Sequence, residues 1–179
     1  DGYNAIQLGF EKVSTKDPRT VEKRVSKPLR GHFAKTGIEP RKHLAECRVD
    51  SVEEYQVGQE IGVNLFDGVD HVDATAWSIG KGYQGVMKLH GFAGMNKSHG
   101  NGPVHRHAGS TGMRSTPGRC FPGGKRAGQM GNRKTTIQSL KVLMIKPEDN
   151  LIVLAGNVPG PNNGLVTISE AKKKPAKKS

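Results

Sequence analysis

The chain has 179 residues; 34% are hydrophobic, 5% are aromatic and 24 are glycines. This length allows one domain with a core, but the low apolar content indicates that part of the chain buries little surface of its own. The net charge is +12 and no run of 18 apolar residues occurs, which excludes a membrane-spanning helix and favours a polyanionic partner.

Four strands and one helix are predicted in the first 79 residues. The strands, expected from alternating or continuous apolar residues, lie at 3–10, 44–49, 61–65 and 72–78. The helix is expected at 28–35, because Pro28 suits a first turn and Gly37 suits a C-terminal stop.

Regular structure is predicted to stop after residue 79 and to return near residue 137. Residues 80–131 hold 14 glycines in 52 positions and show neither a helical nor a strand period. Two apolar runs, at 140–145 and 151–155, flank KPEDN and predict a hairpin. A last strand is expected at 165–168.

The predicted fold class is all-β. It consists of a small β-barrel body with a long, irregular, basic extension loop and a short helical insertion. The body is expected to be discontinuous, at 1–79 and 136–170, with the helix inside an insertion at 24–50. Residues 80–135, here called the excursion, form the extension, and residues 171–179 are expected to be a disordered basic tail.

The charges are strongly segregated along the chain. Residues 1–73 hold 11 Lys or Arg and 13 Asp or Glu, and residues 148–179 hold 5 and 3. Residues 74–147 hold 12 Lys or Arg and no acid. Ordinary protein surfaces mix both signs, and a one-sign tract of this length repels itself. The tract therefore predicts contact with a polyanion.

Two glycine-rich motifs look like nucleotide-binding sequences but lack the necessary context. The motif GKGYQG at 80–85 fits G-x-G-x-x-G, but glycines interrupt any following helix and no acid occurs before Glu148. In GRCFPGGKR at 118–126, Lys125 comes one place late and Arg126 replaces Ser or Thr. The first motif favours a glycine turn that lets the backbone approach a partner closely. In the second, the glycine-rich backbone amides beside Lys and Arg suit phosphate in general.

Two rival functions remain open from the residues alone. His99, His105 and His107, with Cys120, suggest a metal-binding enzyme, although structural metal sites usually show paired short spacings. Asn96 begins an N-x-S sequon, which would matter in a secreted basic protein. Neither rival explains the acid-free tract.

The excursion supplies the candidate RNA-binding side chains. A chain rich in Gly and Pro cannot offset its ordering entropy by apolar burial, but it can do so by neutralising phosphates and releasing counterions. Irregular basic loops suit the shape and backbone of folded RNA. The candidate contacts are Lys81, Lys88, Lys97, His99, His105, Arg106, His107, Arg114, Arg119, Lys125, Arg126, Arg133 and Lys134.

Residues 99–136 read HGNGPVHRHAGSTGMRSTPGRCFPGGKRAGQMGNRKTT. This stretch closely resembles the signature of the large-subunit ribosomal protein three family, of the bacterial or organellar type. That pattern runs H-G, H-R, P-G-S-x-G, T-P-G and K-x-x-A/P-G-x-M-G. It matches at His99-Gly100, His105-Arg106, Gly109-Ser110, Gly112, Thr116-Pro117-Gly118 and Lys125 through Gly131. Segments GHFAKTGIEP, SIGKGYQGVMK and VPGPNNG are also similar, so the resemblance covers nearly the whole chain.

The resemblance implies a structural component of the large ribosomal subunit, not an enzyme, with no cofactor. It implies partners in 23S-type rRNA and neighbouring large-subunit proteins, with no membrane and no small-molecule substrate. The family supports early subunit assembly and extends a loop toward the peptidyl transferase centre, on a cytoplasmic ribosome or an organellar one. The implied tip of that loop is Met113, Arg114, Ser115, Thr116 and Pro117.

The chain departs from the family pattern at three places. The family has a further strand pair before DGY, so the N-terminal strands of the barrel are expected to be missing. Ala108 stands where Pro is usual. Ser115 stands where many bacterial members carry a methylated glutamine, so that modification does not carry over.

Overall fold

The structure is a computed structural model that describes residues 2–14 and 20–175. The chain divides into two compact units, Asp1–Ile61 and Gly62–Ser179. In the first unit, the elements are β1 (Ala5–Lys12), α1 (Val21–Arg24), α2 (Lys27–Thr36) and β2 (Arg41–Arg48). In the second unit, a 3-10 turn at Val63–Phe66 precedes β3 (His71–Trp77), β4 (Gly82–Gln84), α3 (Val86–His90), β5 (Gly128–Met130), β6 (Lys134–Lys146), β7 (Leu151–Ala155) and β8 (Val166–Glu170).

The first unit is a two-stranded antiparallel ribbon with helices α1 and α2 between its strands. Strands β1 and β2 pair along their whole length, from Ala5 opposite Arg48 to Lys12 opposite Arg41. Helix α2 has a proline in its first turn and ends where Gly37 adopts a left-handed conformation, with φ of 67°. The Gly37 N–H then donates to Phe33 O, which satisfies a carbonyl at the helix end. The helix therefore lies where the sequence predicts it.

The second unit is built on a four-stranded antiparallel sheet in the order β7-β6-β3-β8. Val72, Ala74 and Leu140 are its buried core residues. The partly buried side chains packed against them are Phe66, Val69, Ile137, Val142, Leu154, Val166 and Ile168. The excursion leaves this sheet at the end of β3 and returns at the start of β6, which are neighbouring strands.

A buried carboxylate organises the centre of the sheet. Asp73 is 3% exposed, and it lies opposite a bulge where two residues of β6, Gln138 and Ser139, face one residue of β3. Its Oδ1 accepts the Ser139 N–H at 2.8 Å and its Oδ2 accepts the Lys172 N–H at 3.4 Å. Ser139 has a positive φ of 57°. The carboxylate therefore provides the acceptor for the N–H of a bulge residue that lies outside the regular strand pairing.

The strand-rich body with a short helical insertion is confirmed, but the sheets are not closed. Within residues 2–14 and 20–175, β7 and β8 each have a single strand neighbour. Strand β1, which we expected in the body, pairs with β2 from the expected insertion instead. The N-terminal strand and the segment after the helix satisfy each other's backbone groups, so β1 does not extend the four-stranded sheet.

The strand predicted at 61–65 is wrong. The structure has a 3-10 turn at Val63–Phe66, in which the Asp67 N–H donates to Asn64 O at 3.1 Å. Leu65, one of the apolar residues behind the predicted strand, is 67% exposed, whereas Phe66 and Val69 pack on the core cluster. The spacing of three between these partly buried residues fits a turn, and the alternation of apolar residues at 61–65 was accidental.

The C-terminal boundary also differs from expectation. Ala171, the first residue of the predicted disordered tail, is 1% exposed, and its N–H donates to His71 O at 3.2 Å. The ordered body therefore extends at least to this residue. The last four residues, 176–179, lie outside the described part of the chain. No helix in the described ranges has both the length and the apolar character needed to cross a bilayer.

Asp73→Ala should destabilise the second unit. The change leaves two N–H groups, those of Ser139 and Lys172, without their acceptor, and each such loss costs about 1–3 kcal/mol. Urea unfolding of the full chain should therefore show a lower midpoint. Asp73→Asn keeps one acceptor oxygen and should fall between wild type and Asp73→Ala.

Asp70→Ala is the matched control, because Asp70 is exposed and lies just before the same strand. Exposed substitutions of this kind usually stay within about 0.5 kcal/mol. An equal unfolding midpoint for Asp70→Ala and Asp73→Ala would show that the buried carboxylate does not stabilise the bulge.

Candidate nucleic-acid interface

The excursion begins and ends in a hydrogen-bonded neck, which we define as residues 78–84 and 128–133. The Ser78 N–H donates to Arg133 O at 2.9 Å, and the Asn132 N–H donates to Ser78 O at 3.1 Å. The Lys81 N–H donates to Met130 O at 2.8 Å, after which β4 and β5 pair antiparallel. The two limbs of the excursion therefore run side by side from the sheet outward.

Gly131 permits the close approach of the two limbs. Its φ is +72°, a conformation that favours glycine, and a Cβ at this position would overlap the carbonyl oxygen of Ile79. Any side chain would have to push the limbs apart. Gly131 belongs to the sequence signature, so the neck gives a physical reason for a glycine there.

Beyond the neck, a short helix on the outgoing limb makes the next contact with the returning limb. Helix α3 is followed by Gly91, which caps it with a positive φ of 72°. The preceding residue, His90, donates from Nε2 to Arg126 O at 2.9 Å and so ties the helix end to the returning limb. The start of the excursion is thus more ordered than the sequence predicted, because glycines at 85 and 91 bracket this helix instead of abolishing it.

Residues 94–105 form a side loop closed by its own backbone. The Met95 N–H donates to His105 O at 2.9 Å, and His105 Nδ1 donates to Asn96 O at 2.8 Å. A Cβ on Gly94 would overlap His105 O, so this closure also needs a glycine. His105 is half-buried and holds the loop together, which gives this predicted RNA contact a structural role.

The limbs meet again near the tip of the excursion. Cys120 Sγ lies 3.6 Å from Thr111 Oγ1. Hydrogen bonding to this hydroxyl lowers the pKa of the Cys120 thiol, and the positive charge of Arg126 lowers it further. The turn between residues 112 and 119 contains the predicted tip, 113–117, where Met113 is 82% exposed.

The predicted RNA-binding side chains lie along both limbs of the excursion and face solvent. Apart from the half-buried His105, all of them are exposed: Lys81, Lys88, Lys97, His99, Arg106, His107, Arg114, Arg119, Lys125, Arg126, Arg133 and Lys134. No acid occurs between residues 74 and 147, so these side chains have no carboxylate in their own tract. Their contacts with RNA stay a prediction.

The three histidines of the rival metal site do not converge. In residues 2–14 and 20–175, no three side chains of His, Cys, Asp or Glu come together in a way that could hold a metal ion. His99 and His107 are exposed, whereas His105 closes the side loop. The local pattern H-x-H gave no information on this, because His105 is held in the side loop by its bond to Asn96 O whereas His107 is exposed.

Sequence reasoning missed two exposed residues of the neck. Tyr83 on β4 is 76% exposed, and it lies directly opposite Gln129 on β5. The only available signal was an aromatic residue inside a glycine-rich, basic segment. The pairing of Tyr83 with Gln129 could not be anticipated, because 45 residues separate them along the chain.

The fold and surface define a class: a strand-rich protein whose open β-sheet carries an exposed, acid-free excursion. The family model "Ribosomal protein L3" matches residues 44–150. The chain is 61% identical over its whole length to the large ribosomal subunit protein uL3 of Protochlamydia amoebophila, covering 76% of that protein. It is 48% identical over 97% of its length to the uL3 protein of Corynebacterium efficiens and 49% identical over 94% to that of Chlamydia felis, again covering 76% of each.

The chain therefore belongs to the ribosomal protein L3 family. Members of this family are structural components of the ribosome and not enzymes. This result agrees with the resemblance found in residues 99–136, and it removes the metal-dependent enzyme as an alternative.

Gly131→Ala should open the neck of the excursion. The added Cβ collides with Ile79 O in addition to the strain of a positive φ. Hydrogen exchange on the free protein should become at least about tenfold faster at the Ser78 and Lys81 amides, since about 1.4 kcal/mol of lost closure gives that factor.

Gly123→Ala is the matched control. Gly123 has nearly the same φ, +79°, but nothing lies within 4 Å of its added Cβ. It should carry the conformational strain without the collision and leave exchange at the neck unchanged. Equal exchange at Lys81 in both variants would mean that the close approach does not hold the limbs together.

Proposed function

We propose that the chain is a component of the large ribosomal subunit that binds 23S-type rRNA through the excursion. In this proposal the protein supports early subunit assembly beside neighbouring large-subunit proteins, and its tip extends toward the peptidyl transferase centre. The observation that carries the proposal is the exposed, acid-free set of cations along both limbs. The bacterial source of the relatives favours a cytoplasmic ribosome.

Electrostatics and entropy support this partner. The cations of the excursion repel one another, and phosphates would remove that repulsion while releasing condensed counterions. Much of the segment between α3 and β5 has neither helix nor strand and is exposed, so many of its backbone N–H groups and carbonyls are open to a partner. Folded RNA offers phosphates that neutralise the cations and 2′-hydroxyls that hydrogen-bond to the backbone.

The paired limbs limit how far the excursion reaches. The returning limb from Arg119 to Met130 has 12 residues, which span at most about 40 Å at about 3.3 Å per extended residue. The outgoing limb is longer, but residues 94–105 fold back on themselves. An excursion of this length would reach well into the interior of a folded RNA.

Removing three cations from the excursion should make RNA binding less sensitive to salt. The triple variant Arg119→Gln, Lys125→Gln, Arg126→Gln should reduce the slope of log affinity against log salt by about 2–3, since each phosphate contact contributes about 0.7–0.9. Filter binding of the full chain to a 23S-type rRNA transcript, between 50 and 200 mM salt, measures the slope.

The matched control removes three exposed cations from the first unit, Lys23, Lys27 and Lys35, by the same change to Gln. That variant has the same net charge as the excursion variant, and its slope should stay near the wild-type value. If both triple variants lower the slope equally, only net charge matters and the excursion is not the RNA-binding element.

Arg114→Ala should alter the function of the tip without disturbing the body. Arg114 is exposed and is the only cation in 113–117, and its planar guanidinium can pair with a phosphate or stack on a base. Subunits should still assemble, because the other cations remain. Peptide-bond formation, or sensitivity to drugs bound at the peptidyl transferase centre, should change.

The body provides the internal control for this variant. The unfolding midpoint of the free Arg114→Ala protein should equal that of wild type, because no core residue lies at the tip. Fully assembled variant subunits with normal peptide-bond formation and normal drug response would show that the turn only anchors the protein.

A further inference from the structure

A lone aromatic ring stands on the neck of the excursion, facing solvent. Tyr83 is the middle residue of the three-residue strand β4 and is 76% exposed. Residues directly opposite in an antiparallel pair share one face, with their Cβ atoms about 4.5–5.5 Å apart. The residue opposite Tyr83 is Gln129, which is also exposed. An amide therefore lies beside the ring on the same face.

Two cations frame this pair. Arg133 Nη2 donates to the backbone carbonyl of Gln129 at 3.0 Å, which places the guanidinium next to the amide-bearing residue. Lys81 lies two residues before Tyr83, and its N–H is fixed to Met130 O at 2.8 Å. Both side chains are exposed. The neck thus combines an aromatic face, an amide and two positive charges within a few residues.

The glycines around Tyr83 leave its surroundings bare. Gly82 precedes it and Gly85 follows two residues later, and nothing lies within 4 Å of the place where either Cβ would be. No neighbouring side chain on this strand covers the ring from those positions. A flat ligand can approach Tyr83 without displacing protein atoms.

The amide of Gln129 keeps its carbonyl acceptor and one of its two N–H donors. Its Nε2 donates to Met130 O at 3.2 Å, which orients the side chain and uses one donor. The Oε1 acceptor then remains for the amino or imino N–H of a nucleobase. Base–aromatic stacking beside cations that hold the backbone is the usual way in which proteins bind unpaired nucleotides.

We propose that Tyr83, Gln129, Lys81 and Arg133 form a binding platform for a single unpaired nucleotide of RNA. The base stacks on Tyr83, Gln129 Oε1 accepts from its edge, and the two cations bind the flanking phosphates. The platform rests on the proposed function, because it takes the same RNA as its partner. It adds a contact to a splayed-out base, which the cations of the excursion alone do not require.

Three substitutions at Tyr83 test the stacking, in the full chain bound to a 23S-type rRNA transcript. Tyr83→Leu keeps an apolar side chain but removes the aromatic face, and affinity should fall about 5- to 150-fold. Tyr83→Phe should bind within about twofold of wild type, and Tyr83→Trp should bind at least as tightly. The salt slope should be the same in all four proteins, because stacking releases no counterions.

The matched control is Phe10→Leu in the first unit. Phe10 is an exposed aromatic residue on a two-stranded ribbon, 65% exposed, in a segment of mixed charge. Its loss should leave affinity unchanged. Base-specific chemical probing supplies a second readout: at least one unpaired nucleotide that wild type protects should become reactive with Tyr83→Leu and stay protected with Tyr83→Phe.

The outcomes separate the platform from the proposed function. If Tyr83→Leu binds like wild type with a steep salt slope, the platform is wrong and RNA binding by the excursion stands. If wild type itself shows a flat salt slope, the proposed function fails and the platform fails with it. If Tyr83→Leu and Tyr83→Phe weaken binding equally, the phenolic hydroxyl and not the ring makes the contact, which also overturns the stacking.

Exchange at the Lys81 amide checks that the ribbon is intact in each variant. If Tyr83→Leu opens the neck, the affinities of Tyr83→Phe and Tyr83→Trp still test the stacking, because both substituted residues are aromatic and suit an exposed strand. Loss of affinity in Tyr83→Trp, with slow Lys81 exchange, would overturn the proposal.

Discussion

The carboxylate of Asp73 is the contact on which the sheet of the second unit depends. It lies in the central strand β3, at 3% exposure, and accepts N–H groups from the bulge in β6 and from the residue after Ala171. The bulge shifts the register of β6 by one residue, so that Trp77 comes to lie opposite Lys134. That pair stands at the root of the neck. The side chain of Asp73 therefore holds the bulge beyond which β3 and β6 keep a constant register up to the root of the neck.

Asp73 also marks the place where the chemistry of the chain changes. It is the last acid before the tract 74–147, so the body keeps a carboxylate for an internal purpose and the excursion has none. The body is held by strand pairing and a small apolar cluster. The excursion is held by short backbone contacts that only glycines permit, as at Gly94 and Gly131. Most of its cationic side chains are exposed, which explains how the second unit can combine a modest core with a long charged loop.

The sequence predicted the elements whose signals are local. The helix at 27–36 and the hairpin of β6 and β7 came from a proline, a glycine and two apolar runs close together in the chain. The 3-10 turn at Val63–Phe66 was missed, because an alternating pattern with only three apolar positions cannot distinguish a strand from a turn that partly buries every third residue. The pairing of β1 with β2 was missed as well, since pattern alone does not choose between two available edges.

The sequence by itself determined the family, the segregation of charge and the cationic side chains of the excursion. These properties depend on residue identity and spacing, which need no coordinates. Only the tertiary structure decided that the sheet stays open, that His105 closes a loop, and that Tyr83 meets Gln129 across the neck. Each of these features depends on contacts between residues distant along the chain, or on one backbone conformation among several that the sequence allows. They are set by which backbone groups find partners in three dimensions, a condition that local sequence patterns do not encode.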